Sequence, residues 1–145
     1  MDRVKLNLTE QFSFSTIISI RITDINYGGH VGNDTFLSLI HEARQQYLRH
    51  FGYSELEFAG TSLIMADAAI EFKKELQYGD AVKVSVSATG FDRLGFDLHY
   101  LLEVEKEGQT LLAGKAKTGM LCFNYTDKKK VAVPEEAYNK LTANN

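Results

Sequence analysis

Tryptophan is absent from this 145-residue chain, and cysteine and proline occur once each. A single cysteine, Cys122, cannot form an intramolecular disulfide and excludes a multi-cysteine zinc site. Set in an apolar strand pattern, it reads as a small buried hydrophobe rather than a nucleophile. Charge of one sign is also scarce. A net charge of -3 leaves no basic face of the kind that displaces counterions from nucleic acid, and Lys128-Lys129-Lys130 reads as a solvated turn. No uncharged apolar run reaches membrane-spanning length. The N-terminal segment carries Asp2, Arg3, Lys5 and Glu10, unlike a secretory leader. These absences predict a cytoplasmic protein with neither nucleic-acid nor membrane partners.

Apolar residues make up 44% of the chain and charged residues 24%, the balance of a globular protein. With no linker composition or internal repeat, residues 1–145 read as one domain. The run from Phe12 to Ile22 is β-branched and roughly alternating, a strand. Phe36, Ile40, Ala43, Tyr47 and Phe51 then recur at spacings of four and three, one stripe of a long amphipathic helix, with His41, Gln45 and Arg49 on the opposite side. Asn33 or Asp34 is its expected N-cap, and Gly52 its C-terminal stop. Thr61 to Glu75 reads as a long strand with Met65, Asp67, Ala69 and Glu71 on one face. Gly-containing turns then join it to runs at 82–86, 96–104 and 109–125, an antiparallel meander. Pro134 opens a short helix to Leu141, placed in its first turn, and the last residues are expected to fray. A helix inserted after the first strand of an antiparallel sheet predicts an α+β protein in which a five-stranded sheet wraps a long central helix. With little left to cover the sheet's far face and edges, self-association is expected.

Between that first strand and the helix lies Asp24-Ile-Asn-Tyr-Gly-Gly-His-Val-Gly-Asn-Asp34. Glycines here let backbone approach a ligand, and the helix behind them aims free N–H groups at the loop. The backbone of Gly29, Val31, Gly32 and Asn33 can therefore bind a developing negative charge. Asp24, His30 and Glu42 are the candidate proton carriers, since histidine as a residue type moves protons near neutral pH. Asn26 can hold water or substrate, and Asp67, an acid in a small, apolar strand, can line a pocket. Bland alternatives stand beside each: His30 as a backbone partner, Asp24 as a turn residue, Glu42 paired with Gln46 or Arg49, and Asp67 at a sheet edge. The spacing Gly28-Gly29-x-x-Gly32 does not fit a dinucleotide fingerprint, and the four scattered histidines show no metal-ligand spacing.

Arg21-Ile-Thr-Asp24-Ile-Asn26-Tyr-Gly-Gly29-His30-Val-Gly-Asn33, followed by His41-Glu42-Ala43-Arg44, resembles the signature of hotdog-fold acyl-CoA thioesterases of the 4-hydroxybenzoyl-CoA thioesterase type, as does the Tyr78-Gly79-Asp80 turn. The resemblance implies a hotdog fold, thioester hydrolysis without a cofactor other than the coenzyme A of the substrate, no metal, and a homodimer or homotetramer. It also implies a carboxylate at the position of Asn26, which an amide cannot supply. Asp24, Asn26 and His30 look more like the Asp-x-Asn and His loop of plant acyl-carrier-protein thioesterases. Two other activities fit such a fold: holding an acyl thioester without cleaving it, and hydration or dehydration of an acyl-CoA.

Overall fold

The computed structural model describes residues 1–143; the expected fraying at 144 and 145 lies outside them. Strand β1 (Phe14–Ser19) leads through a short 3-10 turn (Ile22–Asp24) to helix α1 (Asn33–His50), and strands β2 (Ser62–Phe72), β3 (Ala81–Thr89), β4 (Gly95–Lys106) and β5 (Gln109–Asn124) follow. A two-residue strand β6 (Lys129–Lys130) and helix α2 (Glu135–Thr142) complete the chain. The sheet is antiparallel in the order β1-β3-β4-β5-β2, with β6 added to the end of β5. This is the hotdog arrangement: the sheet curls around α1. The basic run at Lys128 therefore contributes a short sixth strand as well as a turn, because Lys129 and Lys130 pair with Asn124 and Phe123.

Alternation decides what the sheet buries. Phe96, Leu98, Tyr100, Leu102 and Val104 point inward from β4 and Val82, Val84 and Val86 from β3, all of them buried. They meet Phe36, Leu39, Ile40, Ala43, Tyr47 and Leu48 of α1, the helical stripe with Leu39 and Leu48 added. Gly52, at φ +83, ends α1: its N–H donates to Arg49 O and that of Tyr53 to Leu48 O, a Schellman closure.

Three expectations need correction. The N-cap of α1 is Gly32, not Asn33 or Asp34, and no side chain caps the helix; both polar residues already have helical backbone. A β-bulge between Met65 and Asp67 shifts the register of β2 against β5, so the simple two-face alternation through Asp67 fails. Pro134 is extended and serves as the N-cap of α2 rather than its first turn.

Gly95 carries a constraint that no pattern announces. A Cβ there would lie 2.1 Å from the backbone oxygen of Met120. Because backbone cannot step aside as a side chain can, Gly95→Ala is expected to cost about 2 kcal/mol or more, read as a lower urea midpoint.

Candidate active site

The glycine-rich loop folds into a tight turn closed by its own polar groups. Asn26 N–H donates to His30 O at 3.0 Å, Gly29 N–H to Asn26 O at 3.1 Å, and Gly28 N–H to the Asn26 side-chain Oδ1 at 2.8 Å. Gly29 sits at φ +82, where any side chain is strained. Val31 then anchors the turn, its N–H donating to Leu76 O at 2.8 Å. Gly28 and Gly32 leave room for their neighbours. A Cβ on Gly28 would stand 3.2 Å from Asn26 Oδ1 and 3.3 Å from His30 Nε2, and one on Gly32 would stand 3.5 Å from Asn26 Nδ2.

At the mouth of this turn, no described residue accepts from the backbone N–H groups of Asn33 and Asp34; Gly32 is buried beside the antiparallel bridge of Ile25 with Val31, and the amides of Thr35 and Phe36 bond Gly32 O. Asn33 and Asp34 are exposed. Two unengaged donors thus stand at the positive end of an 18-residue helix. Asn33 lines a cleft of about 270 Å³ together with His30, Phe36, Phe72, Lys73 and Glu75, among others. Phe36 and Phe72 meet edge to face at 5.1 Å and form its apolar wall. Lys73 and Lys74 also line an adjoining depression with Lys106.

His30 is partly exposed, with Nδ1 3.4 Å from Val31 O and Nε2 3.7 Å from Glu75 Oε1. Both ring nitrogens face acceptors, an arrangement that suits a proton donor. Asn26, Gly29, His30, Val31, Gly32 and Asn33 are therefore gathered at one place. Three other candidates are not. Asp24 is buried, accepting from Arg21 N–H at 2.8 Å with the Arg21 guanidinium 3.6 Å away, and closes the 3-10 turn. Glu42 is exposed, taking a hydrogen bond from Gln46 at 2.7 Å, and Gln46 in turn takes one from Thr16 on β1. Asp67 lies on the outer face of the sheet, bonded to Lys117 at 2.8 Å and to Gly119 N–H at 2.9 Å. Lys117 holds its carboxyl below the usual aspartate range, chiefly by that hydrogen bond. Sequence reasoning missed Phe72, Lys73, Lys74 and Glu75. The signal available was two lysines and a glutamate directly after an apolar strand, but nothing local said that they would face His30.

A second polar cluster lies farther along α1. Arg44 is buried; its Nε donates to Glu55 Oε1 at 2.5 Å and its Nη1 to the Tyr100 hydroxyl at 3.3 Å. That hydroxyl also shares a hydrogen bond with Thr118 Oγ1 at 2.8 Å. Burial alone would lower the guanidinium's pKa, but Tyr100 and Glu55 outweigh it and hold Arg44 above its ordinary value. Burial pushes the Tyr100 phenol up. His41 stands over the cluster with Nε2 3.7 Å from Glu55 Oε2. A cleft of about 220 Å³ opens here, lined by Leu37, Ser38, His41, Arg44, Met65 and Thr118, with Ile40 behind. Cys122 is buried, and that burial raises its thiol's pKa.

Comparisons with known proteins agree with this architecture. A family model described as the thioesterase-like superfamily matches residues 20–141. The 1,4-dihydroxy-2-naphthoyl-CoA hydrolase of Microcystis aeruginosa is 27% identical over 119 residues, covering 80% of this chain and 83% of that protein. Its namesake from Thermosynechococcus vestitus is 25% identical over 120 residues, 81% and 80% of the two chains. Among solved structures, a 1,4-dihydroxy-2-naphthoyl-CoA thioesterase from Synechocystis superposes with a TM-score of 0.78 at 22% identity, covering 88% of this chain and 94% of that one. A mutant 4-hydroxybenzoyl-CoA thioesterase complexed with 4-hydroxybenzoyl-CoA gives 0.80 at 14% identity over 89% and 98%. At those identities the structural likeness speaks to the fold.

Proposed function

The chain belongs to the thioesterase-like superfamily, and from that premise we propose that it hydrolyses acyl-CoA thioesters at the N-terminus of α1. The observation that carries this is the pair of unengaged amides, of Asn33 and Asp34, at the helix N-terminus where Asn33 lines the His30 cleft. Hydrolysis turns a neutral carbonyl oxygen into an oxyanion. Fixed N–H donors at a helix N-terminus meet that charge without reorganising, which is where they lower the barrier most. Asn26 fixes the turn through Gly28 N–H, so its amide serves geometry where a carboxylate would serve chemistry. His30 hands a proton to the departing thiolate. Phe36 and Phe72 offer apolar surface to the acyl group, and Lys73 and Lys74 suit the phosphates of coenzyme A. No other cofactor is required.

The enzyme works as a homodimer or homotetramer in the cytoplasm. β2 is an outer strand of the sheet, and its centre from Met65 to Ala68 is exposed, as are Leu37 and Phe72 beside it. An apolar strand edge of this length is a template for a second copy. A mass in solution of at least two chains is the expected result.

A second reading, a protein that holds an acyl thioester intact, is favoured by one observation: Asp24 and Asn26 are both engaged in closing turns. A panel of short, long and aromatic acyl-CoAs separates the two. Thiol release that falls at least tenfold in His30→Ala is expected. A raised melting temperature with every thioester intact after hours would support the holding protein instead, and full activity in both Asp24→Ala and His30→Ala would remove the turn from the chemistry.

A further inference from the structure

The N-terminal arm, residues 1–13, lies outside the span matched by the thioesterase-like superfamily, which begins at residue 20, yet the sheet holds it at two points. Thr9 N–H donates to His99 Nδ1 on β4 at 2.9 Å, and Leu6 N–H donates to Glu71 Oε1 on β2. Leu6, Leu8 and Thr9 are half-buried where the arm lies on the sheet. β5 stands between β4 and β2. Crossing it means covering two strand spacings, about 10 Å, which is about the reach of the three extended steps from Leu6 to Thr9. The arm is therefore drawn across the outer face with little slack. His99 accepts only while its Nδ1 is unprotonated, and burial, which pushes its imidazole below the ordinary range, favours that state.

The Leu6 contact matters for what Glu71 holds. Its other oxygen, Oε2, is 3.0 Å from Lys73 Nζ, and Lys73 lines the His30 cleft. Leu6 N–H, more than Lys73, holds the Glu71 carboxyl below the usual glutamate range. We propose that the N-terminal arm, acting through Glu71, positions Lys73 for the phosphates of the substrate's coenzyme A and so sets the affinity for phosphate-bearing thioesters.

This series of contacts works by restricting rotation. A lysine ammonium is a point charge on a flexible stem, and it adds little affinity when phosphate must order that stem on arrival. Pairing with Glu71 does the ordering beforehand, but the glutamate also rotates. Its cross-strand neighbour on β5 is Lys115, a second cation competing for the same carboxylate. The Leu6 amide takes Oε1 and leaves Oε2 turned to Lys73. With the arm detached, Glu71 is shared between two lysines, and Lys73 loses its fixed place beside the cleft. Thr9 and His99 serve the same end at a distance by holding the arm across β5.

This inference rests on the thioesterase reading, and one set of measurements separates them. Leu6→Pro deletes the donor to Glu71 in the full chain, and Leu6→Ala keeps it. On the acyl-CoA that the wild-type chain cleaves best, Leu6→Pro should raise KM about 3–10-fold, the usual worth of ordering one long side chain, with kcat held. Thr9→Pro, which frees the contact with His99, should act in the same direction, and Leu6→Ala should stay near wild type. The same acyl group on N-acetylcysteamine, a thiol without phosphate, should show no change in KM. In a Glu71→Ala background Leu6→Pro should add nothing, because the link to Lys73 is already cut. Titration with coenzyme A itself reads the affinity without turnover, and its Kd should rise by the same factor in Leu6→Pro. An unchanged KM and Kd in Leu6→Pro, an equal rise on the phosphate-free thioester, or a rise that persists without Glu71 overturns the inference while hydrolysis stands. A wild-type chain that cleaves no acyl-CoA but shows the Kd shift overturns hydrolysis alone. One that neither cleaves acyl-CoA nor binds coenzyme A overturns both.

Discussion

Asn33→Pro is expected to lower kcat by about 10²–10³-fold, the cost of one oxyanion donor, while leaving the fold intact. The two effects separate because of where Asn33 sits. It is the first residue of α1, and its N–H has no acceptor among the described residues. Proline is welcome at that position, since the ring fixes the helical φ and the missing N–H breaks no helical bond. The preceding residue must be extended, and Gly32 already is, at φ -70 and ψ 159. What the substitution removes is a hydrogen-bond donor aimed at the cleft. An asparagine side chain is lost as well, so Asn33→Ala is the control: it keeps the donor and should retain most of the activity. Equal losses in both variants would assign the effect to the side chain.

Arg44→Met should destabilise the protein by about 3 kcal/mol. The methionine fills most of the space of the arginine stem, so little packing is lost. The loss comes from the polar partners: Glu55 loses a 2.5 Å charge-assisted bond and Tyr100 one of its two hydrogen bonds. Glu55 remains partly exposed, which lets water take up some of the cost and keeps the figure below that of a fully stranded ion. Adding Glu55→Leu should recover part of the stability, because a paired charge replaced on both sides leaves nothing unsatisfied. Urea midpoints of the two single variants and the double variant, at matched slopes, measure this coupling.

Long-period features were the legible ones. The α1 stripe from Phe36 to Tyr47, the alternation of β3 and β4, and the Gly52 stop each follow from spacing alone, because helix and strand geometry map directly onto sequence. The glycine turn was legible as a place, since three glycines before a helix have few other uses. What Asp24 does there was not. A carboxylate that closes its own turn and one that faces substrate look identical in sequence, and only its hydrogen bond from Arg21 N–H distinguishes them. The bulge after Met65, the contact of Gly95 with Met120 and the approach of Glu75 to His30 all depend on which strands become neighbours. The Arg44–Glu55 clamp joins the helix to the loop beyond its C-terminus, eleven residues apart and in no periodic relation. The N-terminal arm is similar: Thr9 N–H donates to His99 Nδ1 at 2.9 Å and Leu6 N–H to Glu71, tying the arm to the outer face of the sheet. Nothing in residues 1–13 signals that path.

The most direct measurement is a crystal structure of the protein with an acyl-CoA analogue in which a methylene replaces the thioester sulfur, so that the carbonyl is kept and cleavage is blocked. The carbonyl oxygen is predicted to lie about 2.7–3.1 Å from the Asn33 and Asp34 amide nitrogens, with the acyl group against Phe36 and Phe72. A carbonyl bound away from the α1 N-terminus, with those two amides still facing solvent, would contradict the account.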